Sequence, residues 1–507
     1  MSNDEFPGTT EGEDREARVP VSEVPYRFDK TVGAGVVTND YAHLEPGEGS
    51  GVVVRVAGRV MRSRPQGRVA FAELRDWTGA VQLFAIVQKT AAFEAFVKIS
   101  LGDWIGAEGE IVSTKTGEVS ILVERWVVLA DARRSFGDKW RGVNDVEIRQ
   151  RQREVDLWAN EGAREVFLAR TKVVSSLRRT LDARSYLEVE TPILQPLAGG
   201  ANARPFSTHY NALHADFFLR IAPELYLKRL VIGGLERVYE IGKDFRNEGL
   251  SPRHNPEFTM LEAYQAYADY LDMAELIESL VSDAALVVHG STVITFGGQQ
   301  LDLTPPWRRA TMTELIEEVT GVTVSLEMDR DEVAKRAASL GVEVAKGESA
   351  GKIIYEIYEK TTESELWGPV HVMGYPIEVS PLTRVHRDHP GLVERITPVI
   401  TGREIAEVYS ELVDPVEQRS RFMEQAKARE AGDEEAMSVD EDFLRALEHG
   451  MPPTGGIGLG VDRLTMILTD TANIREVLFF PALRPLGNQP DQDQDKVVRD
   501  EGPDQAS

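Results

Sequence analysis

Cysteine is absent from the 507 residues, which removes disulfides, thiolate nucleophiles and cysteine-ligated zinc together and is compatible with a reducing cytoplasm. No uninterrupted apolar run approaches the ~20 residues that a membrane helix needs. The opening stretch MSNDEFPGTTEGEDREAR is acidic and polar, unlike a secretory signal. A soluble, cytoplasmic protein is the expectation. Positive charge is also scarce: 57 Lys and Arg against 83 Asp and Glu give a formal net charge of −26. A mean field of that sign repels phosphate, which excludes indiscriminate nucleic-acid binding but leaves room for a local basic site. Against these absences, an apolar content of 42% supports real cores, and the length exceeds what one core serves, so two domains plus tails are expected.

Residues 1–21 are polar, acidic and poor in large apolar groups, so disorder is expected there, and the Asp, Gln and Pro-rich tail 487–507 reads the same way. Between about 50 and 130 the pattern changes to short alternating runs (GVVVRVAGRVM, VAFAELRD, AVQLFAIV, DWIGAEGEIV, VSILVERWVVL) separated by turn residues. Five strands at this spacing predict a small closed barrel of the OB type. Arg55, Arg59, Arg62, Arg64 and Arg68 fall in it with no acid among them, a local exception to the acidic field that suits an RNA backbone. Phe71 and Phe84 are candidates to stack unpaired bases. A charged linker with helical character follows at 131–161. An amphipathic helix then runs from about 163 to 186, with Phe167, Val174, Leu177 and Leu181 on one face.

The richest stretch is YEIGKDFRNEGLSPRHNPEFTMLEAY, from Tyr239 to Tyr264. Alternation predicts a strand that carries Arg246 and Glu248 two residues apart on one face. A Gly, Ser, Pro and Asn-rich turn then bears Arg253 and His254, and a returning strand runs from Phe258 to Glu262 and Tyr264. Guanidinium groups fork onto phosphate oxygens, a histidine adds a donor and an aromatic face stacks a base, so this set suits a nucleotide.

FRNEG, RHNPEF and MLEAYQAYAD resemble motif 2 of the class II aminoacyl-tRNA synthetases in the form found in lysyl-tRNA synthetases. GGIGLGVDRLTMIL resembles motif 3, the helix–strand–proline passage into LEVETPIL resembles motif 1, and the likeness runs from about Val52 to Pro485. It implies an α+β protein: an antiparallel sheet with flanking helices at 162–486, carrying a helical insertion at about 311–366, preceded by an OB-fold anticodon-binding domain. It further implies a homodimer that uses lysine, ATP, Mg²⁺ and tRNA. Carried over position by position, Arg246, Glu248, His254 and Arg463 form the catalytic set. Arg246 would bind the α-phosphate and the substrate carboxylate, Glu248 and Asn255 the adenine side, and His254 and Arg463 the outer phosphates. Phe258 would stack on the base and Glu404 would hold Mg²⁺. Gly200, Glu224, Glu262, Tyr264, Glu407, Tyr409 and Glu411 would surround the amino acid, Glu224 holding its α-amino group and Glu262 and Glu411 facing its ε-ammonium. In the barrel, Arg64, Phe71, Gln82 and Glu118 would read anticodon bases.

Two positions depart from that pattern. Thr397 stands where a second metal-binding carboxylate is expected, which implies weaker binding of metal-bound ATP. Glu407 replaces an asparagine beside the amino acid, where a carboxylate would repel a substrate carboxylate by up to ~4 kcal/mol at ~4 Å and an effective dielectric of ~20, or welcome an additional amine. Three readings therefore stand: a lysine--tRNA ligase, a paralogue that activates another cationic amino acid or serves a role outside translation, and a nucleotide- and tRNA-binding homologue without efficient adenylation.

Overall fold

The computed structural model describes residues 23–134, 143–201, 203–345, 347–430, 432 and 437–485; the ends at 1–21 and 487–507, expected to be disordered, lie outside the described residues. The chain divides into two compact units, Met1–Asn160 and Glu161–Ser507. Among the described residues no helix is long and apolar enough to cross a membrane.

The first unit is built on a closed five-stranded barrel of Gly49–Gln66, Val69–Asp76, Gly79–Ile86, Trp104–Ser113 and Val119–Ala130. Strict alternation produces it: Ala70, Ala72 and Leu74 point into the core while Val69, Phe71, Glu73 and Arg75 stay outside. The first strand pairs with Trp104–Ser113 through its N-terminal half and with Val69–Asp76 through its C-terminal half, and its ladder shifts register between Val60 and Arg62. Such an irregularity bends one strand around a barrel corner. Within the expected linker, helices Val146–Arg151 and Arg153–Ala159 form and group with this unit.

The second unit is organised around an eight-stranded sheet in the order Arg308–Thr311, Val370–Met373, Arg395–Val399, Ala406–Ser410, Thr454–Gly460, Glu257–Ala266, Arg237–Phe245, Leu187–Glu188. Its interior pairs are antiparallel, and the outermost pair at each edge is parallel. Helices Glu161–Asp182 and Tyr270–His289 cover one face, packing Val173, Leu177, Ile277 and Leu280 against the sheet's Ile457 and Leu459. The second of these helices starts in an Asp269–Asp272 capping box and stops at Gly290, whose φ of 72° a side chain would disfavour. The insertion at 311–366 forms helices Met312–Thr320, Arg330–Ser339 and Ala350–Thr361 around a core of its own.

Strand Val370–Met373 gives way to a short 3₁₀ helix, Ile377–Val379. Helix Pro415–Glu430 packs against Glu441–Glu448, whose Phe443, Leu444 and Leu447 supply a buried face against Phe422.

Candidate active site

The strand Thr454–Gly460 lies between Ala406–Ser410 and Glu257–Ala266, and its register places glycine wherever those neighbours carry polar side chains. Gly456 sits between Tyr264 and Tyr409, Gly458 between Glu262 and Glu407, and Gly460 beside Met260. The alternate residues Ile457 and Leu459 point the other way, into the core. A Cβ on Gly456 would stand 2.0 Å from Glu411 Oε1, and one on Gly458 would stand 3.3 Å from Met260 Cε. The glycines therefore leave a bare floor, and above it opens a cavity of about 490 Å³. Sequence reasoning had placed these glycines only ahead of a helix.

Of the nominated residues, Gly200, Glu224, Arg246, Glu248, His254, Asn255, Phe258, Glu404, Glu407, Tyr409 and Arg463 line this cavity. Glu262, Tyr264 and Glu411 stand behind its wall, each almost fully buried. Gly200 adopts φ 89°, and a Cβ there would meet Glu224 Cβ at 3.4 Å, so its glycine permits both the turn and the close approach.

One end of the cavity is cationic. The strand Arg237–Phe245 stops before Arg246 and Glu248, so they do not share a strand face as alternation predicted; only the Arg246 amide continues the ladder, donating to Pro256 O at 2.9 Å. Pro252 and Pro256 in the returning segment lack the amides that a longer ladder needs. The Arg246 guanidinium lies 5.1 Å from the Phe258 ring centroid, and its buried Nε has no hydrogen-bond partner among the described residues. An unspent, buried donor of this kind suits an anion. Arg463, on helix Val461–Leu468, donates to Glu404 O at 2.8 Å and reaches His254 Nε2 at 3.3 Å. Because a guanidinium only donates, His254 accepts at Nε2 and carries its proton on Nδ1, toward Ser251 Oγ at 2.9 Å. Burial and then Arg463 hold the His254 pKa below its usual value, which keeps the ring neutral. Asn255 lines the cavity but commits its amide to Glu257 O and to the Ala482 N–H.

The opposite end is acidic and holds a residue that sequence reasoning did not single out. Lys228 is fully buried, with Nζ 2.5 Å from Glu224 Oε1 and 2.5 Å from Glu411 Oε2. Burial opposes its charge, but Glu224 and Glu411 override it and push its pKa up. Tyr264 donates to Glu262 Oε2 at 3.1 Å. Burial, with Asp244 and Glu224 nearby, raises the Glu262 pKa well above the carboxylate range, and burial pushes Glu411 up to about 7 despite Lys228. The available signal for Lys228 was its i,i+4 spacing from Glu224 in ELYLK, a common helix pair that gives no hint of burial.

The two departures touch each other. Glu407 is paired through both oxygens with Arg395, by Nε at 2.8 Å and by the second nitrogen, and it accepts from Thr397 Oγ1 at 3.2 Å. Thr397 is buried and does not line the cavity. Arg395 further stacks 4.1 Å from the Tyr375 ring centroid. The charge at Glu407 is thus matched by a neighbouring strand, and the repulsion anticipated for a lone carboxylate does not arise. Among the described residues no three His, Cys, Asp or Glu side chains converge at metal-binding spacing.

Comparison with known proteins agrees with this geometry. Residues 145–484 match the family model described as tRNA synthetases class II (D, K and N), and residues 54–129 match the OB-fold nucleic acid binding domain. The lysine--tRNA ligase of Prochlorococcus marinus (strain MIT 9303) is 50% identical over 475 residues, covering 91% of this chain and 94% of its own. Those of Gloeobacter violaceus and Syntrophomonas wolfei are 48% and 46% identical, each over 91% of this chain. The chain belongs to the class II lysine--tRNA ligase family. As a member of that family it is an α+β protein with an OB-fold domain ahead of an ATP-using synthetase domain.

The family's OB-fold domain carries its own candidate face here. Phe71 and Phe84 are cross-strand partners with rings stacked at 5.0 Å and 5°, and Arg64 pairs in register with Phe71. Gln82, on the same face as Phe84, donates to Ser120 Oγ at 2.9 Å, and Glu118 is exposed beside the Thr114–Gly117 turn. The arginine run does not act as one field, because Arg59 lies against both the Trp104 and Trp158 rings and Arg62 is 3.5 Å from Glu73. Arg64 and Arg68 remain exposed on the barrel.

Proposed function

We propose that this chain is an ATP-dependent lysine--tRNA ligase that forms lysyl-adenylate and passes the lysyl group to the 3′ end of its tRNA. The observation that carries the reading is the polarity of one cavity. Arg246, Arg253, His254 and Arg463 line one end beside Phe258, and Glu224 lines the other, with buried Glu262 and Glu411 behind it. That polarity is complementary to a triphosphate joined in line with a diamino acid.

In the first step a lysine carboxylate oxygen attacks the α-phosphorus and the bond to pyrophosphate breaks. In the second a ribose hydroxyl of the tRNA attacks the lysyl carbonyl and AMP leaves. Neither step needs a side-chain nucleophile. Arg246 holds the α-phosphate and the attacking carboxylate, which brings the reacting atoms together and offsets the charge that develops between them. Arg463 and neutral His254 bind the outgoing phosphates, and Phe258 stacks on adenine. Glu404, a carboxylate on the cavity wall, would hold Mg²⁺, a cation that takes few protein carboxylates and would supply charge neutralisation. At the far end Glu224 takes the α-amine and Glu411 the ε-amine, rejecting a neutral side chain that would leave buried acid groups unpaired. Arg64, Phe71, Gln82 and Glu118 would read the anticodon. Exposed Leu187, Ile193, Leu194 and Leu197 after the first long helix support a homodimer, which light scattering would register as twice the chain mass.

The test is amino-acid-dependent exchange of pyrophosphate into ATP, with lysine, ornithine, arginine and β-lysine compared. Exchange that depends on lysine supports the reading. Exchange with another amine alone, or with none in folded protein, removes it. Arg395 already balances Glu407, so the carboxylate at that position gives no separate support to a different amino acid.

A further inference from the structure

Lys228 stands on helix Glu224–Ile232 one turn after Glu224, with Leu227 and Val231 packed beside it, and no part of it reaches solvent. Its ammonium spends itself on one oxygen of Glu224 and one of Glu411. Glu411 Oε1, seated in the space that Gly456 leaves, has no partner among the described residues. Glu224 likewise keeps a second oxygen for a further donor, and it lines the cavity. A buried, unpartnered carboxylate oxygen is costly unless a donor completes it. An ion pair held wholly out of water is itself weak support for stability. What the arrangement does provide is two acids locked in place, each with one oxygen fixed and one left over.

We infer that Lys228 is a positioning residue for the amino acid: a resident ammonium that fixes Glu224 and Glu411 so that their remaining oxygens receive the two amines of the substrate. The inference deepens the lysine reading and rests on it. The titratable groups around Lys228 are Glu224 on its own helix, Glu411 beyond strand Ala406–Ser410, and Glu262 and Tyr264 on strand Glu257–Ala266, whose Tyr264 ring centroid is 5.9 Å from Nζ. All belong to one buried acidic cluster in which Lys228 is the cation. Without it, burial acts on Glu411 unopposed, so Glu411 is more fully protonated at pH 6.5, and a neutral carboxyl is a poor acceptor for an ammonium. Tyr264 stays a phenol in either case, since burial and Glu262 raise its pKa further.

The experiment compares Lys228→Met, Lys228→Gln and Lys228→Arg with the wild type in pyrophosphate exchange, measuring KM for lysine, KM for ATP and kcat at pH 6.5 and 8.5. Met and Gln should raise the lysine KM by about 10-fold or more at pH 6.5, the scale of losing a charged hydrogen-bonded partner. They should leave the ATP KM near wild type, and the lysine penalty should shrink at pH 8.5 as Glu411 ionises. Arg, which keeps the charge, should restore most of the lysine KM and bring its pH dependence back toward that of the wild type. Gln keeps hydrogen-bonding capacity and provides the reading if Met does not fold. An unchanged lysine KM in Met or Gln overturns the inference. So does a lysine KM and an ATP KM that rise together without pH relief, which is the mark of general damage. A wild type that gives no lysine-dependent exchange refutes the lysine reading instead, so the two failures are distinct.

Discussion

Glu407→Gln removes one member of a largely buried pair and leaves its shape, so its effect can be worked out from the contacts. The Arg395 side chain is only 10% exposed, and both Glu407 oxygens face it. Removing one partner of such a pair costs about 3–5 kcal/mol, because the other charge stays buried without compensation. Arg395 keeps partial partners in Ser380 Oγ at 3.1 Å and Val379 O at 3.4 Å, and the Tyr375 ring lies under it. These place the loss at the lower end, about 3 kcal/mol. For a unit of this size that is a fall in Tm of about 4 °C. The orphaned guanidinium should not improve lysine binding, since Glu407 carries no unbalanced charge in the wild type. Thermal unfolding and lysine titration calorimetry on the variant check both statements. A Tm within a degree of wild type together with tighter lysine binding would refute the reasoning. It would show that Glu407 acts as the free, repelling carboxylate that its position in the sequence suggested.

Arg246→Ala should reduce lysine-dependent pyrophosphate exchange by at least 100-fold, the scale of losing one preorganised charge-stabilising donor, with Tm little changed; substantial retained exchange would remove Arg246 from the reacting centre. Burial pushes Asp244, Glu407 and Glu411 up to about 7, against about 4 for unfolded carboxyls. The native state therefore binds more protons than the unfolded one between those values, and these groups make stability fall as pH rises from about 4 to 7. Thermal scans of unliganded protein at pH 5.5 and 8 should show that fall, with a shallower slope in Glu411→Gln; equal slopes would mean that Glu411 is not the group titrating. Phe71→Ala should raise the KM for tRNA severalfold through the loss of one stacking surface and leave pyrophosphate exchange untouched, whereas an equal loss in both assays would contradict a role confined to the barrel.

The barrel was legible because it is written as alternation: VAFAELRD buries every second residue, and the turns between strands carry their usual residues. The sheet came with the family resemblance, since EFTMLEAYQA buries Leu261 to Tyr264 in succession and shows no period two there. The family resemblance nominated fourteen residues in the second unit, and eleven of them line one cavity. What could not be read was the pairing between distant segments. Glu407 looked like an isolated charge because Arg395 lies twelve positions away on the next strand, and only register brings them together. Lys228 looked like half of an ordinary helix pair because its second partner, Glu411, belongs to a segment far along the chain. Arg246 and Glu248 were assigned to a strand face since alternation runs up to them, while the prolines of the returning segment end the ladder first. Each miss concerns where a local pattern stops or what meets it from elsewhere, which local periodicity does not encode.

The bare glycine strand has a consequence for motion. In most sheets cross-strand side chains hold neighbouring strands together, but at Gly458 and Gly460 that layer is missing on the cavity side, and the strand is fastened there by its backbone ladder and by Ile457 and Leu459 beneath. A molecule seated on the floor would supply part of the absent layer, lying against Gly458 and Gly460 beside Glu407 and Tyr409. Substrate is then structural as well as reactive: when it is present the centre of the sheet has contacts on both faces, and when product departs the amides of 454–460 should exchange with solvent faster than those of any other interior strand.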